Sequence, residues 1–131
     1  MPALSIVMHW DRPRELAWAL AACTAIDVWE LRAFRAIPPL YQSGVRYARE
    51  VCRAPTLPGA CERFLTARQC LREGEGDCDD LACWRAAELI VMGERARAIA
   101  MPSSVGFHVV VRRADGSIED PSKRLGMRGD V

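Results

Sequence analysis

The chain has almost no lysine. Of its 18 basic residues 17 are arginine, and Lys123 is the exception. No basic block stands out and the formal net charge is +1. The electrostatic footprint of a nucleic-acid binder is therefore missing, and no nucleic-acid partner is expected. Arginine alongside abundant alanine reads as the mark of a GC-rich genome. Histidine is scarce too, with only His9 and His108, and none of the six cysteines forms a Cys-x-x-Cys pair. A structural zinc site needs four such ligands at tight spacings, so neither metal nor other cofactor is expected. No apolar run reaches the length of a bilayer crossing, which argues against a membrane partner. Nor do the first residues carry a basic segment followed by a long apolar run, so no signal peptide is expected. Without one, the cysteines read as thiols of a reducing compartment. Internal repeats and low-complexity runs are absent.

What the chain does have is material for a core. Half of its 131 residues are hydrophobic, which excludes disorder and suffices for one domain without staples. Asp11 and Pro13 suit a helix start, and the helix should run to about Arg35, before Pro38-Pro39. Leu16, Leu20, Cys23, Leu31 and Phe34 share a stripe that Asp27 interrupts, so Asp27 needs a partner. The middle of this helix is apolar nearly all round. It is either enclosed by the domain or has a second face for a partner, such as another copy. After a connector starting at Cys52, Gly59 to Leu71 reads as a second helix. Glu94 to Pro102 alternates polar and apolar and reads as a half-buried strand.

The chemistry concentrates in Gly74 to Gly93. Gly74 and Gly76 permit a tight turn, Asp77 is an N-cap, and good helix formers follow to a C-terminal Gly93. Cys78 thus falls at the first helical position, where the helix dipole and exposed amides favour a thiolate. The same amides suit an oxyanion beside the sulfur. Asp79 and Asp80 are expected to face away from the thiol. Arg85, two turns on from Cys78, is expected to meet a carboxylate. A cysteine beside an apolar helix is commonly just a small core residue, so the neighbours downstream matter.

"VGFHVVVRR" is rich in β-branched residues and reads as a strand; "ADG" is a three-residue hairpin loop and "SIED" a short return strand ended by Pro121. This register sets Arg113 opposite Ser117 and Val110 opposite Asp120. His108 and Asp120 then become diagonal neighbours on one face, and a two-residue turn would separate them. A carboxylate holding one imidazole nitrogen leaves the other for a nucleophile. The candidate catalytic set is Cys78, His108 and Asp120.

"GDCDDLACWRAAEL", the His108 strand and "DGSIEDPS" together resemble the transglutaminase-like cysteine peptidase superfamily. "PPLYQSGVRYARE" and "EDPSKRLGM" are similar to small members of it encoded in tailed phages and prophages. The resemblance spans about Val45 to Ser122. It implies an α+β fold with a papain-like core, N-terminal helices followed by a small antiparallel sheet, in a single domain over 1–131. It implies Cys78 as nucleophile, His108 as general base and acid, and Asp120 as the orienting group. A second oxyanion donor upstream would be Tyr47 or, next, Gln42. The implied activity is acyl transfer or hydrolysis at an amide bond of a protein or peptide, through a thioester. The implied setting is the cytoplasm of a bacterial host or a phage particle. Two rival readings use the same residues. One is a catalytically idle structural or assembly protein of a phage particle, contacting a partner or a second copy through the helix over 11–36. The other is a metal site built from Cys78, His108 and Asp120.

Overall fold

A computed structural model describes residues 4–6, 13–49, 62–104 and 106–128. His9, Asp11, Cys52, Cys61 and the connector from Cys52 lie outside the described residues. The fold is α+β, with four helices and a small antiparallel sheet among the described residues. No helix among the described residues is long and apolar enough to cross a membrane.

The long helix α1 runs Pro13–Ala33 and leads, past Pro38 and Pro39, to a 3-10 turn at Leu40–Gln42. Its inward stripe holds Leu16, Leu20 and Cys23 as the spacing predicts, with Leu31 and Phe34 only half-buried. Asp27 and Glu30 lie on the same stripe and are buried. Both reach another helix, α2, at Ala67–Glu73. Asp27 accepts from the Ala67 amide at 2.8 Å and Glu30 from the Arg68 amide at 3.0 Å. Those amides belong to the first turn of α2, where a helix cannot satisfy them itself. Thr66 and Gln69 complete the start as a capping box. The buried carboxylates of α1 are thus the N-terminal cap of α2.

The second helix is shorter than the sequence pattern suggests. Glu62–Phe64 forms strand β3, paired antiparallel with β1 at Leu4–Ile6. The Thr66–Gln69 box places the helix start after it. Phe64 and Leu65 are buried as expected, but as strand and linker residues rather than helical ones.

Helix α3, Cys78–Val91, is central. One side, with Ala82, Cys83, Ala86 and Leu89, packs with α1 and the sheet. The other, with Leu81 and Trp84, packs with Leu40, Val45, Ala67 and Cys70. Enclosure on both sides buries Leu81, Ala82, Cys83, Trp84, Ala86, Ala87 and Leu89 of this one helix.

The main sheet has the order β5-β6-β7, with β5 at Arg97–Ser103, β6 at Gly106–Arg112 and β7 at Ile118–Glu119. The β6–β7 pairs are Val111 with Glu119 and Arg112 with Ile118. The Arg113 amide donates to the Ser117 carbonyl at 2.8 Å and Gly116 takes φ 87°. This is the register that a loop of Ala114-Asp115-Gly116 predicts. A fourth helix, α4, follows at Pro121–Arg124. Asp120 as N-cap and Pro121 at the first position are an ordinary helix start, a signal in the sequence read only as a strand end.

Candidate active site

Cys78 opens α3. The turn before it is fixed by a parallel pair of two-residue strands, β2 at Arg46–Tyr47 and β4 at Glu75–Gly76. Tyr47 stands beside Gly76, and the Ala48 amide donates to the Gly76 carbonyl at 2.9 Å. Asp77 is the N-cap: its Oδ1 accepts from the Asp80 amide at 3.3 Å, and Asp80 Oδ2 accepts from the Asp77 amide at 3.1 Å. Asp80 Oδ1 also accepts from the Leu65 amide at 2.8 Å. Its carboxylate is thereby turned back onto backbone amides. Burial, then the nearby Asp77, pushes its acid well above the usual carboxylate range.

Gly76 has a steric role. A Cβ there would lie 3.0 Å from Cys70 Sγ, 3.2 Å from Asp80 Cβ and 3.3 Å from Leu81 Cδ2. Gly76→Ala therefore lowers unfolding free energy by about 1–3 kcal/mol, by overpacking the floor beneath Cys78. Chemical denaturation checks this, and an unchanged midpoint would contradict it.

Cys78 itself is half-buried and packs against the cluster that holds Ala82, Val109 and Val111. Cys23, Cys70 and Cys83 are buried thiols. Burial, then the nearby Asp27, pushes the Cys23 thiol up to about 12, and burial pushes Cys70 and Cys83 well above the ordinary thiol range. Among these four, Cys78 alone reaches solvent to an appreciable extent.

His108 lies on β6 and is 7% exposed. Its Nε2 is 2.8 Å from Asp120 Oδ2. Asp120 Oδ1 in turn accepts from the Lys123 amide at 3.2 Å, as cap of α4. The carboxylate is held from both sides: one oxygen fixes the helix and the other fixes the imidazole. With Nε2 committed, Nδ1 is the nitrogen left for proton transfer.

Strand alternation sets the direction of approach. Phe107 and Val109 belong to the sheet face that packs with α1 and α3, in the cluster that Cys78 also joins. His108 shares the opposite face with its cross-strand partner Met101. Helix α4 carries the chain from Asp120 towards the cysteine. The Tyr47 amide donates to the Leu125 carbonyl at 2.9 Å, just after α4, and Tyr47 pairs with Gly76, two residues before Cys78. A short ring of contacts thus runs His108, Asp120, α4, Tyr47, Gly76, Cys78.

The two candidate oxyanion donors separate. Burial, then the neighbouring Cys78, raises the Tyr47 phenol, so it stays a donor at neutral pH. Gln42 is exposed on the 3-10 turn. That turn is anchored by the Leu40 amide on Glu88 Oε2 at 2.6 Å. Glu88 lies ten residues along α3 from Cys78, about 15 Å at the helical rise. The structure brings Tyr47, and not Gln42, to the start of α3.

Arg85 has its carboxylates. Its Nε is 2.6 Å from Glu119 Oε2 and its Nη1 3.2 Å from Glu88 Oε1. Glu119 also accepts from the Tyr41 hydroxyl and from Arg113 Nη1, the latter at 3.2 Å. Arg113 pairs further with Glu94 at 2.6 Å, and Arg124 stacks 3.9 Å over the Tyr41 ring. Despite its burial, hydrogen bonds from Arg85 and Tyr41 hold the Glu119 carboxyl below its ordinary value. The sequence signal for Glu119 was its position: it alternates with Asp120 and so faces α3. Glu119→Ala leaves Tyr41 and half-buried Arg85 short of an acceptor and costs about 2 kcal/mol. Thermal unfolding near neutral pH measures this, and a loss below about 0.5 kcal/mol would place the network among surface ion pairs of little worth.

No family model matches the chain, and neither a curated protein nor a solved structure matches it.

Proposed function

We propose that the protein is a papain-like, transglutaminase-like thiol enzyme acting on an amide bond of a protein or peptide through Cys78, His108 and Asp120. The observation that carries this reading is the His108–Asp120 bond at 2.8 Å, built from the hairpin register. A carboxylate that orients an imidazole while capping a helix is a positioned group rather than a chance contact. Cys78 at the start of α3 supplies the nucleophile, and the contact ring through α4 and Tyr47 ties its turn to that pair.

This reading requires the thiol and the imidazole to come together beside β6, which β7 pairs only at Val111 and Arg112. In the forward step the Cys78 sulfur bonds to the amide carbon, and the N–H groups of the opening turn and the Tyr47 hydroxyl take up the oxyanion. His108 delivers its proton to the amine as the C–N bond breaks, leaving a thioester. Water then attacks, and His108 accepts its proton as the thiol is released. An amine in place of water gives crosslinking. Hydrolysis is favoured because a half-exposed thiol is readily reached by water.

Labelling with iodoacetamide across pH tests the reading. Cys78 should be modified selectively under mildly acidic conditions. Uniform, slow labelling of all thiols would overturn it. A Cys78→Ala chain that folds normally should lose every amide-directed activity; retained activity would exclude the thiol mechanism, and an intact biological role would favour the scaffold reading.

A further inference from the structure

We infer that α1 pairs with α1 of a second copy of this chain, antiparallel and across a twofold axis between Ala22 and Ala25. The surface of α1 opposite its buried stripe carries Glu15, Trp18, Ala22, Ala25, Trp29 and Arg32, in steps of three and four. That spacing lines residues along one seam of a helix, as in a coiled coil. Trp18 is 70% exposed and Trp29 55%, both large apolar side chains left in water. Ala22 and Ala25 between them are exposed and small enough for a close backbone approach.

The order of this seam is what selects the occupant. Read in opposite directions on two copies, it complements itself. Ala22 meets Ala25, Trp18 meets Trp29, and Glu15 meets Arg32, each contact occurring twice as a twofold axis requires. A parallel pair would set Glu15 against Glu15 and Arg32 against Arg32. The acidic and basic residues sit at opposite ends of the seam, so charge favours the antiparallel copy. A generic partner has no reason to match a palindromic pattern. The area is that of one helix face, so the dimer is of moderate affinity and depends on concentration.

Light scattering on the full chain over a range of concentrations tests this directly. The wild-type chain is expected to shift from its own mass to twice that value. Trp18→Ala should weaken association at least about tenfold, as loss of an aromatic anchor does. Glu15→Arg and Arg32→Glu should each weaken it, and the double variant Glu15→Arg/Arg32→Glu should restore it. Trp18 and Arg32 are exposed on α1 and Glu15 is half-buried, and circular dichroism verifies that each variant folds. A wild-type chain that stays monomeric at every concentration overturns the inference. So does a dimer indifferent to Trp18→Ala, or single charge reversals without effect.

Discussion

Replacing His108 with alanine slows alkylation of Cys78 at mildly acidic pH by a factor of about a hundred or more. A positioned base or acid is worth about a hundredfold to ten-thousandfold in rate, and a thiol needs such a partner to react outside its usual range. Asp120→Asn acts on the same rate through orientation. It keeps a side-chain oxygen that can cap α4 but loses the negative acceptor held 2.8 Å from His108 Nε2. Both variants should fold, because the cap and the β5–β6 pairing remain. Iodoacetamide kinetics with peptide mapping give the rate at Cys78 separately from Cys23, Cys70 and Cys83. Equal rates in wild type and His108→Ala would show that the imidazole does not serve this sulfur. The register makes this outcome informative, because His108 shares its sheet face with Met101 and not with Phe107 and Val109 of the cluster that Cys78 joins.

Asp27→Ala is expected to lower unfolding free energy by about 3 kcal/mol. It removes the acceptor of the Ala67 amide at the buried start of α2 and leaves a small cavity at a fully buried position. Asp27→Asn behaves differently, because its side-chain oxygen still accepts from that amide. Burial, above all, pushes the Asp27 acid well above its ordinary value, and its Oδ2 meets no hydrogen-bond partner among the described residues. The sign follows from the raised folded-state value. The stability from this group is fully present below its unfolded value and is lost as pH rises through the folded one. Asp80 and Glu88 shift the same way, mainly through burial, whereas Glu119 shifts the opposite way. Asp27→Asn should therefore flatten the decline of stability with rising pH, and its advantage over wild type should grow across that interval. Thermal midpoints from acid to neutral pH test this. Parallel curves for the two proteins would mean that folding does not shift the Asp27 acid.

The candidate site was legible where local rules decide the geometry. A glycine turn, a capping aspartate and a cysteine next to it specify a helix start, and Asp77, Cys78 and Asp80 take those places. The loop Ala114-Asp115-Gly116 sets a hairpin register, and that register sets the His108–Asp120 pair. What stayed hidden depends on partners far away in sequence. Asp27 announced that it needed a partner, but nothing local named the Ala67 amide forty residues on. Gly59 to Leu71 carried inward-facing apolar residues that suit a helix, yet its first described part pairs with β1 as a strand, and the Thr66 box begins the helix later. Gln42 and Tyr47 could not be ranked from the chain alone. The parallel pairing of β2 with β4 separates them, and parallel pairs leave no turn signal between their strands.

The tie between Tyr47 and Leu125 has a bearing on when the start of α3 is completed. During synthesis Cys78 leaves the ribosome well before His108, and His108 before Asp120. Strand β2, which pairs with Glu75–Gly76 before Cys78, lacks its hydrogen bond to Leu125 until that residue has also emerged. At typical translation rates of about 5–20 residues per second, that interval lasts seconds. The strand beside the start of α3 is thus completed only after α4 has been made, so folding of this corner must wait for residues more than forty positions downstream of Cys78.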